Sequence, residues 1–322
     1  LFCEPYVIEE IGGIPIAFIG AVTATTAEIS KPEHVAPFKF TDEADAINYQ
    51  VKKLQEQGIH AFVVLLHEGG EQTPYEGSTK ETGDLSGRIV SLTLRLDEDV
   101  DVVLSGHTHA FTNQFIPNAG GKPTLVTQAY SYSAAYADLL LTIDPTSHEI
   151  IAKNATIITT DTDHGPGLIH DKNAQELLDA VNTTIAPLIS EVIGVTSVPL
   201  TRTLDEHGES SLYNVVTDAF RSQMDTDMSI LNIGYLRADI DAGNITTGDV
   251  YSVMPFHDQV YAVRMTGQQI KDLLNQQWTR TVKPDHLLQI SGFSYSYDAS
   301  REPSDRVINI TFNGKELDMT AQ

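Results

Sequence analysis

The sequence is poor in the residues that cross-link a chain or anchor it in a bilayer. One cysteine, Cys3, stands among 322 residues. That excludes an internal disulfide framework and a zinc site built on several thiolates. No run of about eighteen apolar residues occurs, so there is no segment for a membrane-spanning helix. The longest apolar stretches, such as Ala61 to Leu66, have the length of a strand. Basic residues are scarce as well: 20 Lys and Arg face 44 Asp and Glu, a net charge of −24. So acidic a balance argues against a groove for polymeric nucleic acid or an anionic membrane surface as partner. A small phosphate ligand stays open, because a bound metal reverses the local field. The acidity also suits a protein outside the cytoplasm. The chain starts at Leu1 with neither a methionine nor a basic-then-apolar signal segment, so the expectation is that a segment was removed or that a longer protein precedes it.

What is present is an ordinary globular composition, 41% hydrophobic, in a length that supports two domains with sizeable cores. Tyr6 to Ile11 and Ile14 to Gly20 read as strands around Gly12-Gly13. Ala44, Ile47, Val51 and Leu54 recur at helical spacing within Thr41 to Gln57. Ala61 to Leu66 reads as a buried strand ending at His67, Asp84 to Leu96 as a second amphipathic helix, and Val100 to Leu104 as a buried strand ending at Ser105-Gly106-His107. Leu125 to Gln128 and Ala137 to Ile143 read as further strands. The alternation of strand and helix gives an α/β layered domain, in which ligands collect beyond the carboxyl ends of the strands. Between Thr159 and Gly167 the composition shifts to Thr, Asp, Gly and Pro, which marks a boundary. Asp171 to Ile193 reads as one long connecting helix, with Pro187 as a kink point. The remainder has an α+β pattern. It has helices at Leu212 to Met224 and Gln268 to Trp278. Its strands are Met228 to Asn232, Val260 to Met265, Ile290 to Tyr297 and Val307 to Phe312.

The chemistry concentrates in histidines. Gly106-His107-Thr108-His109 follows a buried strand directly, and imidazole binds zinc, manganese or iron readily. The same tetrapeptide on a surface turn would be unremarkable, and a lone histidine at a strand end is more often a hydrogen-bonding residue than a ligand. Yet His67, in Leu66-His67-Glu68-Gly69-Gly70, ends the neighbouring buried strand. Parallel neighbours would carry His67, His107 and His109 to one sheet edge. Glu68 is set aside as an exposed loop acid. Hydrolysis of phosphate esters usually takes two metals about four ångströms apart, with a bridging carboxylate and further oxygen ligands. No Asp-x-His or Asn-His pair following a strand supplies these here.

His67 with Gly69-Gly70, then Gly106-His107-Thr108-His109, resemble the last metal-binding motifs of the calcineurin-like metallophosphatases. Three later stretches resemble the C-terminal domain of bacterial 5′-nucleotidases and UDP-sugar hydrolases: Gly208 to Asn214, Asn232 to Asp239, and Ile245 to Val250 with Met254-Pro255-Phe256. Leu288 to Gly292 continues the match, so the similarity spans nearly the whole chain in the family's order.

The resemblance implies part of a four-layered α/β metallophosphatase domain over 1–165, a linker helix over 166–193 and an incomplete α+β substrate-binding domain over 194–322. It implies two divalent metal ions, one held by His67 and His107 and the other by His109. It assigns substrate binding to Asn232, Arg237, Phe256 and Asp258. Phe256 matches an aromatic that stacks on the nucleobase, Asp258 stands where a base-contacting asparagine is frequent, and Arg237 matches an arginine on the phosphate. Without the resemblance, Phe256 would read as core and Arg237 as a surface ion-pair partner. The family's opening ligands and its catalytic histidine have no counterpart, so the catalytic histidine is unknown here and the chain is expected to begin after those motifs. Three departures bear on the substrate: Gly208 replaces an arginine, Ile233 and Tyr235 stand in a run of glycines, and His257 replaces a glycine.

The expected activity is metal-dependent hydrolysis of nucleotide phosphate esters outside the cytoplasm, in an extracellular, cell-wall or periplasmic setting, with domain rotation bringing substrate to the metals. The form of 322 residues is expected to be inactive or weakly active for lack of the bridging carboxylate. It is also expected to oligomerise, or to associate with a missing N-terminal segment, to cover an incomplete sheet. A 2′,3′-cyclic phosphodiesterase/3′-nucleotidase or a nucleotide-sugar pyrophosphatase is a related alternative. A non-catalytic nucleotide-binding surface protein is another, motivated by Gly208, Ile233 and Tyr235.

Overall fold

Apolar residues at alternate positions of four consecutive buried strands point to opposite faces, and this places the core on both sides of one sheet. The computed structural model describes residues 3–160, 169–256, 258–279 and 288–320. It divides into two units, Leu1–Leu168 and Ile169–Gln322. The expected boundary at 159–167 falls largely outside the described residues, as does His257.

In the first unit the elements run β1 (Tyr6–Ile11), β2 (Ile14–Val22), two single-turn helices α1 (Thr26–Ile29) and α2 (Pro32–Val35), α3 (Glu43–Gln55) and β3 (Phe62–His67). They continue with α4 (Arg88–Thr93), β4 (Val100–Ser105), β5 (Phe111–Pro117), β6 (Pro123–Ala129), β7 (Ala135–Ile143) and β8 (Ile150–Thr159). Six strands form one sheet in the order β1-β2-β3-β4-β6-β5. β2, β3, β4 and β6 are parallel, and β1 and β5 close the edges antiparallel. Ala17, Ile19, Phe62, Val64, Val103 and Val126 pack one face against Ile47, Val51 and Leu54 of α3 and Ile89 and Leu92 of α4. Ile16, Val63, Val102 and Leu125 pack the other face against Ile150 and Ala155 of β8, with Leu139 and Leu141 of β7 alongside. The result is helices, a six-stranded sheet and a two-stranded β7-β8 sheet in successive layers. Val7, Ile8 and Ile11 on edge strand β1, and Leu140 and Ile151 on β7 and β8, remain exposed.

Three expectations are corrected in this unit. The second helix is shorter than Asp84 to Leu96. Ser86 pairs with Glu71, and Gly87 takes φ 104°, so the chain enters α4 only at Arg88. β5 and β8 were not expected. In β5, Thr112, Asn113 and Gln114 are buried polar residues, so the apolar alternation that marks a strand is absent. Their side chains find partners instead: Asn113 Nδ2 donates to Ala155 O at 2.9 Å, and Gln114 Oε1 accepts from Gln72 Nε2 at 3.1 Å. Glu68 is the third, and it belongs to the site.

The second unit runs α5 (Lys172–Ile189), β9 (Val192–Thr196), α6 (Ser211–Met224), β10 (Ser229–Leu231), β11 (Gly243–Thr246), α7 (Thr247–Val253) and α8 (Gly267–Gln276). It ends with β12 (Gln289–Ser291), β13 (Phe293–Tyr297), β14 (Val307–Phe312) and β15 (Lys315–Glu316). α5 is capped by Asp171, whose carboxylate accepts from Ala174 N, and it contains Pro187 in its last turn. It stops at Ile189, and the chain then forms β9 rather than continuing as helix to Ile193. Residues 260–265, expected as a strand, are described and are not in one. The strand expected over Ile290 to Tyr297 is split at Gly292, which takes φ 89° where a Cβ would meet Asp227 O at 2.3 Å. Leu212, Tyr213 and Val216 of α6 anchor one core with Leu231, Leu236, Ile240 and Val253. Leu274 and Trp278 anchor a second with Val307 and Ile310. α7 and α8 both start with capping boxes, Thr246 with Asp249 and Thr266 with Gln269.

Candidate functional site

Parallel pairing of β2, β3, β4 and β6 places their carboxyl ends at one edge. Thr23, His67 with Glu68, the 106–109 turn and the 130–133 loop follow those ends. His67 Nε2 and His107 Nδ1 lie 3.3 Å apart, with ring centroids at 5.0 Å. The structure therefore brings these two sequence-predicted residues together. His109 packs edge-on against Tyr132 at 5.4 Å. Among the described residues, no group of three or more His, Cys, Asp or Glu converges to hold a metal ion.

The turn that presents the histidines is held in sparsely populated backbone. His107 has φ 74° and His109 φ 58°. Thr108 N donates to Gly106 O at 2.9 Å across His107, the i to i+2 bond of the rarer, strained γ-turn. Such strain persists only where the surroundings over-determine it, and it concentrates at functional sites. Here Thr108 Oγ1 donates to Gly70 O at 2.7 Å, and Gln128 Nε2 donates to Ala110 O at 2.7 Å and to Thr108 Oγ1 at 2.8 Å. Gly69 lies so close beneath that a Cβ would sit 2.2 Å from Gly106 O. Tyr130, Tyr132 and Ser133 also have positive φ, between 54° and 58°.

Glu68 is buried, only 5% exposed, which corrects its reading as an exposed loop acid. Its Oε2 accepts from Thr23 Oγ1 at 2.8 Å and from Arg88 Nη1 at 3.0 Å, and its Oε1 accepts from Gly69 N at 3.0 Å. Arg88 also forks onto both oxygens of buried Glu43 at 2.7 Å each. Glu68 therefore braces the loop behind His67. Sequence reasoning missed it because the partner arginine lies twenty residues on, in another element.

The substrate-side residues fall in the second unit. The Arg237 guanidinium lies 5.0 Å from the centre of the Phe256 ring, and the Tyr235 ring lies 5.5 Å from it at 43°. Asp258 hydrogen-bonds Tyr235. Burial, and then the charge and hydrogen bond of Asp258, push the Tyr235 hydroxyl above its ordinary pKa. Among the described residues no carboxylate pairs with Arg237; its backbone N–H donates to Val253 O at 2.9 Å, and its carbonyl accepts from Arg202. Arg237, Phe256 and Asp258 are thus brought together around Tyr235, a residue seen in the sequence only as a departure from glycine. The exposed Asn232 side chain donates locally, from Nδ2 to Ile233 O at 3.3 Å.

The spacing of the histidine pair suits a metal. At zinc–imidazole distances of about 2.0–2.1 Å, nitrogens 3.3 Å apart subtend about 107° at a shared ion, close to tetrahedral. The two donors therefore fit one divalent ion of the zinc, manganese or iron type. A shared proton between the rings satisfies the same distance.

Residues 192–322 match the family described as the 5′-nucleotidase C-terminal domain. The chain is 32% identical over 297 residues to Endonuclease YhcR of Bacillus subtilis, an alignment covering 92% of this chain and 23% of that protein. It is 29% identical over 313 residues to Cell wall protein Lmo0130 of Listeria monocytogenes, covering 91% and 39%. The crystal structure of a 5′-nucleotidase precursor from Thermus thermophilus superposes with TM-score 0.78 at 27% identity, covering 98% of this chain and 63% of that one. The chain spans less than two thirds of the length of each of these proteins. It is thus similar to a solved 5′-nucleotidase over almost its full length, and its residues 192–322 match the 5′-nucleotidase C-terminal domain.

Proposed function

We propose that the chain serves metal-dependent hydrolysis of nucleotide phosphate esters, of the 5′-nucleotidase type. The observation that carries this reading is the His67–His107 pair, 3.3 Å apart at the carboxyl ends of neighbouring parallel strands. His67 and His107 would hold one divalent ion, and His109, steadied by Tyr132, would face a second. Bound divalent ions would supply polarisation of a phosphoryl oxygen and a nucleophilic water at neutral pH. Arg237 would fork onto phosphate oxygens, a match of planar donors to anion, and among the described residues no carboxylate occupies those donors. Phe256 would stack on the base, worth about 1–3 kcal/mol. Relatives in the cell wall and among 5′-nucleotidases, together with the acidic surface, support an extracellular, cell-wall or periplasmic site of action. No described helix is long and apolar enough to cross a membrane.

The test is equilibrium binding of Zn²⁺ or Mn²⁺ to the chain by calorimetry, for the wild type, His67→Ala and His107→Ala. Each substitution should abolish the site, and equal affinity in all three proteins would end the reading. Phosphate release from AMP, 2′,3′-cyclic phosphates and UDP-glucose then separates the 5′-nucleotidase from the cyclic-phosphodiesterase and pyrophosphatase alternatives. Release should be slow, because two imidazoles without a convergent carboxylate hold a metal weakly.

A further inference from the structure

The side chains behind the histidine turn form one hydrogen-bonded chain whose direction is fixed by carbonyls at both ends. A carbonyl oxygen can only accept. The Gln128 atom 2.7 Å from Ala110 O is therefore the amide nitrogen, and the second proton of that nitrogen goes to Thr108 Oγ1 at 2.8 Å. Thr108 has a single hydroxyl proton, and Gly70 O takes it at 2.7 Å. The bonds run from Gln128 to Thr108 to Gly70, with a branch to Ala110. They join three neighbouring parallel strands at their carboxyl ends: Gly70 follows β3, Thr108 follows β4, and Gln128 lies near the end of β6.

The two groups that Gln128 holds, Thr108 and Ala110, straddle His109 in the chain. His109 sits at φ 58°, a region that a non-glycine residue keeps only where its surroundings constrain it. The Tyr132 ring against His109 is 78% exposed, a poor anchor, whereas Gln128 is 3% exposed. We infer that Gln128 is a positioning residue for metal binding, which locks the backbone on both sides of His109 and so presents that imidazole separately from the His67–His107 pair. This role rests on the metal reading above. Thr108 acts one step further along, since its bond to Gly70 O ties the same turn to the loop that follows His67. Loss of the Gln128 donors therefore releases His109 first, and loss of the Thr108 hydroxyl disturbs the His67–His107 pair as well.

The experiment is a titration of Zn²⁺ into the whole chain, followed through the imidazole NMR signals of His67, His107 and His109, which the three His→Ala variants assign. Gln128→Met keeps the length of the side chain and removes both donors. It should shift the His109 signal before any metal is added and lower the Zn²⁺ affinity read at His109 by about ten- to a hundredfold, the usual effect of losing a partner behind a ligand. The affinity read at His67 and His107 should fall less. Thr108→Val, which keeps the shape and removes the hydroxyl, should weaken the response of all three histidines, and Thr108→Ser should restore it. A merely structural Gln128 would lower the melting temperature and leave the Zn²⁺ response of His109 intact, and that outcome overturns the positioning role. So does a wild-type His109 that ignores Zn²⁺, or a Gln128→Met loss equal at all three rings. Zn²⁺ binding unchanged in His67→Ala and His107→Ala overturns the metal reading, and the positioning role with it. The Thr108→Val and Thr108→Ser pair decides the matter if circular dichroism shows that Gln128→Met does not fold, because a serine variant no better than the valine one also overturns it.

Discussion

Replacing Arg88 with methionine strands two buried carboxylates behind the histidine edge. Glu43 is 2% exposed and Glu68 5%, and the Arg88 guanidinium reaches both, at 2.7 and 3.0 Å. Removing one partner of a buried ion pair costs about 3–5 kcal/mol, because the remaining charge is desolvated and uncompensated. The Arg88 side chain is 40% exposed, so water replaces part of what it gives, and the expected loss falls to about 2–3 kcal/mol. Some donors stay in place: Ala24 N on Glu43, and Thr23 Oγ1 and Gly69 N on Glu68. For a unit of this size the loss is a fall of about 5–10 °C in melting temperature. The single tryptophan, Trp278, sits in the second unit, so its fluorescence should report a transition that Arg88→Met leaves unmoved while far-UV circular dichroism records the loss. The triple variant Arg88→Met, Glu43→Gln, Glu68→Gln should recover more than half of the deficit, since no buried charge is then left unpaired. A loss under about 1 kcal/mol, the size of an ordinary surface substitution or little more, would refute the reasoning, and so would a triple variant no more stable than the single one.

Two further outcomes follow from backbone geometry and capping. Gly69→Ala would place a Cβ 2.2 Å from Gly106 O and 2.7 Å from Thr108 Oγ1, costing about 1–3 kcal/mol and pushing the 106–109 turn away from His67. The imidazole NMR signals of His67 and His107 should shift, whereas Gly20→Ala, whose Cβ meets nothing within 4 Å, should leave them in place. Asp249→Ala removes half of the α7 capping box and should cost about 0.5–1 kcal/mol near neutral pH. Backbone and side-chain hydrogen bonds from Thr246 hold the Asp249 carboxyl below its ordinary pKa. Its contribution is therefore complete above the unfolded value near 3.8 and is lost as pH falls through the lower folded value. The gap between wild type and variant in urea titrations should close below about pH 4, and a gap that widens there would contradict the assignment.

The sequence alone determined the α/β class, the order of the long elements and the residues at strand ends. Those signals are local: apolar runs of strand length, helical spacing in Ala44, Ile47, Val51 and Leu54, and turn residues after each. It also carried the likeness to the 5′-nucleotidases, because several linked motifs recur in order. Tertiary structure decided everything that depends on neighbours distant in the chain. Only the β3–β4 register sets His107 Nδ1 beside His67 Nε2, and only packing shows His109 against Tyr132. β5 escaped the reading because buried Thr112, Asn113 and Gln114 are satisfied by bonds with Ser105, Ala155 and Gln72, which no periodicity reveals. Residues 260–265 carry strand-forming side chains but lie outside any described strand, since β-propensity is realised only against a partner. Glu68 and Tyr235 became part of the site account for the same reason. The role of a polar group is set by what pairs with it, and a linear sequence does not state the pairing.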